Sequence, residues 1–339
     1  MQARYDAAIK RARCDSPDSP ERMEAPMATF FIAITLFSHL ILPPALIVWV
    51  ALSRTTSRLY WILATILTAA FLATMHVAGA GWSWFGLTWR WVFLVSFGLA
   101  IGHFLYHHWP TLPWLPPAKT KSWLATLLVG LLAAYFLTSI PYLVSAGSHD
   151  MRATELTWPL PAGDFFVMHG GGNEAVNHHF LVPAQRYGLD IVKLNDFGVR
   201  ARGLLPPDLD AYAIYGTPVL APCEGEVLAT RSDLPDQKPM EMDPDNLPGN
   251  YITLHCHDLT ILLAHLRQNS LVVDVGDTVT AGQPIAEVGN TGNTSEPHLH
   301  MHAVEGRVTD HDTLAFEGKG MPMTFGGRFL KRNDRVQPN

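Results

Sequence analysis

Apolar and polar positions divide the chain near residue 145 into two regions with different patterns. The first region holds four long stretches that are apolar and almost free of charge. They cover about Thr29–Leu52, Leu59–Ala80, Trp91–His107 and Trp123–Val144. Each is near the ~20 residues that cross a hydrocarbon core of about 30 Å, and tryptophan and tyrosine gather at their ends, as in membrane interface belts. The pattern predicts four transmembrane helices within residues 27–145, in contact with a lipid bilayer.

Two other interpretations of these stretches fit less well. Four such runs in about 120 residues are too many for the buried core helices of a soluble protein, and a cleavable signal peptide would be shorter and would stand alone. His39, His76 and His103 lie inside the runs. They have no carboxylate partners there, so we expect helix-packing hydrogen bonds rather than a proton or metal pathway.

After a predicted linker at 146–163, short β-type runs alternate with glycine-rich turns. The runs are Phe165–His169, Tyr187–Leu194, Val219–Ala221, Glu226–Arg231, Tyr251–Cys256, Thr260–Leu266, Thr278–Thr280, Ile285–Val288 and Leu299–Val304. This spacing predicts a mainly antiparallel β domain at 164–315, rolled into a half-open barrel. We expect a polar leader at 1–26, a polar loop at 232–248 and a loosely held C-terminal tail at 316–339.

Charge differs between the two regions. Residues 1–144 hold ten Lys/Arg and five Asp/Glu, whereas residues 145–339 hold fourteen Lys/Arg and 25 Asp/Glu, a net charge of -11. Such an acidic domain argues against nucleic acid as a partner.

Basic residues give conflicting signals about membrane orientation. Those of the leader favour a cytoplasmic N-terminus, whereas Arg54, Arg58, Lys119 and Lys121 favour cytoplasmic first and third loops. A translation start at Met23 or Met27 removes the conflict and predicts an extracytoplasmic β domain.

The chain has three cysteines and no Cys-x-x-Cys motif, which excludes a cysteine zinc knuckle. Cys14 lies in the leader. Antiparallel pairing of Glu226–Arg231 with Tyr251–Cys256 would bring Cys223 close to Cys256. A disulfide there would persist in an extracytoplasmic domain, but two separate buried thiols remain the alternative.

The segment Glu287–Ala303 reads EVGNTGNTSEPHLHMHA and centres on His298, His300 and His302. On a strand these three side chains share one face, where imidazoles can converge on a metal ion. This segment, with the upstream GDTVTAGQPIAEVG and ILLAHL, resembles the lysostaphin-type (LytM-like) zinc endopeptidases, which cut peptides in bacterial cell walls. The resemblance covers roughly residues 164–304.

The resemblance implies a catalytic Zn²⁺ held by a histidine, an aspartate and the last histidine of the HLH motif. Asp190, in QRYGLDIV, and His300 match the second and third ligands. The first departs from the family pattern, because the position four residues before the aspartate is Arg186, which cannot ligate zinc. We assign His179, from the upstream NHH, with His178 as the alternative.

His265 and His298 match the two histidines of the family that are not ligands. The resemblance implies that they assist catalysis, by moving a proton or by stabilising the oxyanion. His169 and His302 could line the cleft. His255 and His257, which flank Cys256, are interpreted as surface histidines.

The sequence thus predicts a polytopic protein of the bacterial inner membrane with an extracytoplasmic zinc metalloendopeptidase domain. Its implied reaction is hydrolysis of peptide cross-links in peptidoglycan. A non-catalytic or regulatory module that binds wall peptides is the alternative, raised by Arg186. A lipoyl- or biotinyl-type carrier domain is excluded, because no lysine lies between Lys238 and Lys319 to carry the group.

Overall fold

The computed structural model describes residues 29–30, 32–55, 57–310 and 313–338. The predicted leader at 1–26, with Cys14 and Met23, lies outside these residues, as does Met27.

Four long helices make up the N-terminal part, which we call the apolar bundle. They are α1 (Ile32–Leu52), α2 (Arg58–Ala78), α4 (Thr88–His107) and α5 (Thr120–Ser145), with a short helix α3 (Trp82–Phe85) between α2 and α4. By length and composition, each of the four long helices could cross a membrane. The four predicted apolar stretches are therefore all helical, within a few residues of the predicted bounds.

Helix α1 widens to a π-helical turn at Phe37–Ile41, directly before Pro43 and Pro44. Proline has no N–H to donate, and this loss loosens the preceding helical ladder. The buried His39 lies in this turn and faces the α2–α3 connection, where its Nε2 accepts a hydrogen bond from the Gly81 N–H at 3.1 Å. His39 therefore makes the packing hydrogen bond expected from the sequence. His76 packs against the Trp91 ring instead, with its Nδ1 unpartnered.

The two ends of the apolar bundle differ in charge. At one end Arg54 and Lys121 line a common pocket, and Arg58 stacks on Trp109 and Trp114 at 5.0 and 4.8 Å. The opposite end contacts the rest of the chain. The basic loops therefore lie at the bundle end away from the remainder of the protein.

The C-terminal part is a β domain. Its strands are β1 (Thr154–Glu155), β2 (Phe165–His169), β3 (Leu189–Lys193), β4 (Pro218–Leu220), β5 (Gly225–Arg231), β6 (Asn250–Cys256), β7 (Leu259–Leu266), β8 (Thr278–Val279), β9 (Pro284–Glu287), β10 (Leu299–Glu305), β11 (Gly320–Met321), β12 (Met323–Phe325), β13 (Arg328–Phe329) and β14 (Arg335–Val336). The nine runs predicted from the sequence correspond to β2–β10.

Within the described residues, the main sheet has the order β14-β2-β3-β10-β7-β6-β5-β8. Strand β11 lies off this path and pairs with β10. Its strand pairs are antiparallel, so the expectation of a mainly antiparallel domain is confirmed. Alternate residues of β10 point to opposite faces. Leu299, Met301 and Ala303 join the main core, whereas His300 and His302 lie on the other face. Closure into a half-open barrel stays a prediction.

Two segments are more ordered than the sequence suggested. The predicted linker contains β1 and places Leu156 and Leu160 in the core. The predicted loose tail forms β11–β14, buries Phe325 and Leu330, and pairs with β10, β1 and β2. Burial here comes from contacts with distant strands, so a local pattern of glycine and basic residues could not reveal it.

Cys223 and Cys256 form a disulfide, with Cα atoms 6.1 Å apart. Strands β5 and β6 pair antiparallel, with Glu226 opposite His255, as the sequence predicted. The bridge closes a loop of 33 residues, which corresponds to roughly 3–4 kcal/mol of stability in the chain-entropy model. The alternative of two free thiols is therefore wrong.

The β domain packs directly on the apolar bundle. Phe166, Val192 and Leu194 share one apolar cluster with Phe71 and Trp82 of the bundle. Because a fragment starting near residue 150 would expose these side chains to water, experiments on the β domain are best carried out on the full chain.

Candidate metal centre

Sheet register aligns the central residues of the site across neighbouring strands. On β2, β3 and β10, His169, Asp190 and His300 are successive partners in the ladder. Directly paired residues of antiparallel strands place their side chains on the same face, with Cβ atoms about 4.5–5.5 Å apart. Asp190 and His300, 110 residues apart in sequence, are therefore brought together by strand pairing alone.

His179 reaches the same place from a 3₁₀ turn at His178–Leu181. The fully buried Asn177 caps this turn by accepting the His179 N–H, and its amide group donates to the carbonyls of Gly171, Arg186 and Gly188. A Cβ at Gly188 would lie 3.3 Å from His300 and 3.5 Å from His179. The asparagine and the glycine thus fix the approach of His179 to the sheet.

The Asp190 carboxylate is buried and faces an imidazole on each oxygen. Its Oδ1 lies 2.8 Å from His300 Nδ1, and its Oδ2 lies 2.9 Å from His179 Nε2. Burial alone would raise the pKa of Asp190, but the positive charge that His179 and His298 carry when protonated holds it well below its usual range. The group is therefore a carboxylate, which can only accept.

Hydrogen bonds fix the tautomer of His300. The Leu314 carbonyl accepts from His302 Nε2 at 3.0 Å, so the proton of a neutral His302 is on that nitrogen. His302 Nδ1 then accepts from His300 Nε2 at 2.9 Å. Burial lowers the pKa of His302 to about 4 and that of His300 well below its usual range, so both rings are neutral. The Nδ1 lone pair of His300 therefore points at a carboxylate oxygen.

Hydrogen bonds also fix the tautomer of a neutral His179. Gln185 Nε2 donates to the Ala315 carbonyl at 2.8 Å, which orients the Gln185 Oε1 toward His179 Nδ1 at 3.0 Å. Nδ1 is then the donor, and a neutral His179 directs its Nε2 lone pair at Asp190. When both rings are neutral, two imidazole lone pairs therefore point at one carboxylate. These acceptors repel one another, and a cation between them would remove the repulsion. Two histidines and one aspartate also form a typical three-ligand set for catalytic zinc.

A second trio, His169, His178 and Asp190, also lies within 4.8 Å. Here Arg332 Nη2 donates to His169 Nδ1 at 2.7 Å, which leaves the proton of a neutral His169 on its other nitrogen. His178 is exposed, with its Nε2 4.0 Å from Asp190. Because His169 has no free lone pair, the donor atoms of this trio do not suit a metal ion.

The His179–Asp190–His300 trio opens into a cavity of about 260 Å³. Apolar side chains, including Leu262 and Ala264, form much of its wall together with His265 and His302. A site with one open side and a mostly apolar wall can admit a substrate segment and water.

His265 and His298 lie beside this trio, with their rings 4.8 Å apart. His265 donates from Nδ1 to the Thr291 carbonyl at 2.8 Å, and His298 donates from Nδ1 to the Glu296 carbonyl at 2.8 Å. Both rings therefore keep Nε2 free of these backbone bonds: His265 lines the cavity, and His298 Nε2 lies 3.5 Å from Asp190 Oδ1. Burial lowers the pKa of His265 to about 3. For His298 burial acts in the same direction, but the negative charge of Asp190, 3.5 Å away, outweighs it and raises the pKa.

His265 also has a left-handed backbone, with φ at 61°. A non-glycine residue in this conformation is strained, and such residues cluster at functional sites. The Pro248 carbonyl, which accepts the His265 N–H at 2.9 Å, and Gly289, which donates to its carbonyl at 3.0 Å, hold it in place.

The remaining candidates from the sequence lie apart from the trio. Arg186 stacks over Phe180 at 4.6 Å rather than facing Asp190. His255 bonds to the Leu259 carbonyl, and His257 is exposed, as expected for surface histidines. Asn177, Gln185 and Arg332 were not predicted as site residues, because only the fold shows how they contact the histidines. Asn177, directly before the histidine pair, did carry a local signal as a helix cap.

Comparison with known proteins gives matches to the C-terminal part of the chain. A protein of Haemophilus influenzae described as an uncharacterized metalloprotease is 31% identical over 128 residues, or 37% of this chain and 24% of that protein. The peptidoglycan DD-endopeptidase ShyA of Vibrio cholerae is 32% identical over 89 residues, or 26% of this chain and 18% of ShyA. The chain thus matches about a quarter or less of the length of these curated relatives.

Among solved structures, a zinc-containing peptidase from Vibrio cholerae is 22% identical, with a TM-score of 0.28 over 45% of this chain and 36% of that one. The catalytic domain of lysostaphin from Staphylococcus simulans is 26% identical, with a TM-score of 0.24 over 38% of this chain and 75% of that one. Residues 208–311 match the sequence profile of Peptidase family M23. This matched segment holds His265, His298 and His300, and the chain therefore contains a domain of peptidase family M23.

Proposed function

We propose that this protein is a membrane-anchored zinc metalloendopeptidase that hydrolyses peptide bonds, with peptidoglycan cross-links as substrate. The observation that carries the proposal is the convergence of His179 Nε2 and His300 Nδ1 on the Asp190 carboxylate, beside an open cavity lined by both histidines. These three residues would hold Zn²⁺. A bound zinc ion would supply Lewis-acid chemistry, which polarises a peptide carbonyl and acidifies water.

The other histidines would handle protons. His265 and His298 each anchor Nδ1–H on a backbone carbonyl, which leaves each Nε2 available beside the proposed zinc ligands. A neutral ring can take a proton from the attacking water and return it to the leaving amine. A protonated ring can donate to the oxyanion of the tetrahedral intermediate. The ring separation of 4.8 Å lets one substrate carbonyl meet both side chains.

The substrate class follows from the relatives. ShyA, which is 32% identical over 89 residues, is named a peptidoglycan DD-endopeptidase. The four apolar helices suit anchoring in the bacterial cytoplasmic membrane, next to the cell wall. The alternative of a non-catalytic wall-peptide-binding module predicts peptide binding without turnover and without stoichiometric zinc.

The direct test uses the full chain, purified in mild detergent and incubated with isolated peptidoglycan. We expect release of cross-link peptides, about one zinc per chain, loss of release with a chelator, and recovery on adding zinc. Binding of wall peptides without product release and without stoichiometric zinc would favour the non-catalytic module and contradict the proposal. Dye-labelled cross-linked peptides, analysed by mass spectrometry, identify the bond that is cut.

A second prediction concerns orientation. The basic residues Arg54, Arg58 and Lys121 lie at the bundle end away from the β domain. From the positive-inside rule we infer that the β domain lies outside the cytoplasm. An alkaline phosphatase fusion after Asn339 should be active in cells when translation starts at Met23 or Met27. A green fluorescent protein fusion at the same place should stay dark. The reverse pattern would exclude a wall substrate.

A further inference from the structure

A turn of the apolar bundle reaches into the scaffold of the catalytic histidines. The short helix α3, between α2 and α4, packs on Arg200 of the β domain. The Arg200 N–H donates to the Ser83 carbonyl at 2.8 Å, and the Trp84 ring lies 4.3 Å from the guanidinium. A cation over a tryptophan face is attracted by the ring, and more strongly when both are shielded from water.

Arg200 in turn holds Glu296 in a buried ion pair. Its Nε lies 2.7 and 2.8 Å from the two carboxylate oxygens, and the two side chains are only 1% and 4% exposed. This charge-assisted ion pair fixes the orientation of the two side chains as well as their separation. Breaking such a pair leaves an uncompensated buried charge, so each partner depends on the other.

Glu296 lies two residues before His298 and controls its ring. The Glu296 carbonyl accepts from His298 Nδ1 at 2.8 Å, and the Thr294 hydroxyl donates to the same carbonyl at 2.8 Å. Pro297, between them, limits backbone freedom. A shift of Glu296 would therefore turn the His298 imidazole, whose Nε2 faces the site.

These contacts form a continuous path from the bundle to the site. We propose that Trp84, Arg200 and Glu296 are positioning residues through which the apolar bundle sets the orientation of His298. This inference rests on the proposed function, in which His298 assists hydrolysis. It assigns the helices a role beyond anchoring, because Ser83 and Trp84 of α3 contact Arg200 directly.

A separate contact keeps the β domain docked when this path is cut. Arg332 donates to the Ala78 carbonyl at the end of α2 at 3.2 Å, and Asn333 donates to the Val77 carbonyl at 3.0 Å. Neither hydrogen bond involves Trp84. Substitutions at Trp84 should therefore change the position of His298 without releasing the domain.

The test compares Trp84→Ala and Trp84→Phe with a matched control, Trp114→Ala. Trp114 also stacks on an arginine, Arg58, but at the opposite bundle end. In the full chain, Trp84→Ala should lower kcat roughly 10- to 100-fold, the scale of a small misplacement in a catalytic site, with KM and zinc content unchanged. Trp84→Phe should recover most of the loss because it keeps an aromatic face, and Trp114→Ala should behave as wild type.

Reaction of histidines with diethyl pyrocarbonate gives a readout that does not depend on turnover. Peptide mapping should show a several-fold change in the modification rate of His298 in Trp84→Ala, with the rate at His255 unchanged as an internal control. The modification rate still tests the inference if the wild-type protein proves inactive. Inactivity would reject the proposed function but not the link from Trp84 to His298. The inference is overturned if His298 keeps its wild-type rate, or if Trp84→Ala keeps wild-type kcat or loses zinc.

Discussion

Replacing Asp190 by alanine should release nearly all zinc from the protein and abolish hydrolysis. The carboxylate lies between His179 and His300, and each of its oxygens faces one imidazole. Two imidazoles alone leave the tetrahedral set of ligands incomplete. We expect zinc affinity to fall by more than roughly 100-fold, the largest loss typical of changing a residue that only orients a ligand.

Mass spectrometry of metals on purified full-length protein measures this effect, and competition with a zinc-binding dye gives the affinity. Asp190→Asn keeps the shape of the side chain and separates ligation from packing, so it should also bind zinc poorly. Asp164→Asn is the matched control, because Asp164 pairs with Arg335 on β14, away from the site. Full zinc occupancy in Asp190→Ala would reject the assignment of the ligands.

Replacing His265 or His298 by alanine should lower turnover while the zinc stays bound. Neither Nε2 belongs to the converging trio, so zinc content should stay near one per chain. Turnover should fall by roughly 10²-fold or more, the usual worth of acid–base or oxyanion assistance. His255→Ala, at a half-buried histidine bonded to the Leu259 carbonyl, should leave both quantities unchanged.

Comparison of zinc content with kcat decides this prediction. Loss of zinc in either variant would mean that the residue is a ligand and that the histidine roles are interchanged. Wild-type turnover in both variants would remove these residues from the mechanism. Because His265 has a strained backbone, His265→Asn is a useful second variant, since asparagine tolerates the left-handed conformation better than alanine.

Local patterns in the sequence were sufficient for the apolar helices and for β2–β10. Each of these elements lies in a local window with its own apolar pattern and turn residues, which marks its position, while its stability still comes from packing and strand pairing. The short strands β1 and β11–β14 were not predicted. They are stable because Met323 and Phe325 fill a core built by other strands, and no two- or three-residue window contains that information.

The sequence by itself determined the chemistry available to the site: an HLH motif on a strand, an aspartate in a second strand and a pair of histidines after an asparagine. It also determined that Arg186 could not replace a ligand. It favoured His179 as the first ligand and left His178 as the alternative. The structure places His179 Nε2 2.9 Å and His178 Nε2 4.0 Å from Asp190 Oδ2. This difference depends on the 3₁₀ turn that Asn177 caps, and on Gln185, whose amide is oriented by the distant Ala315 carbonyl.

Only the tertiary structure decided which nitrogens are free to bind a metal. The tautomer of His300 depends on His302 and the Leu314 carbonyl, and that of His169 depends on Arg332 from the C-terminal segment. The link from Trp84 to Glu296 likewise joins residues more than 200 positions apart. Hydrogen-bond direction is a property of pairs of groups in space, so a linear pattern names the candidate groups, and the fold determines which of them can act.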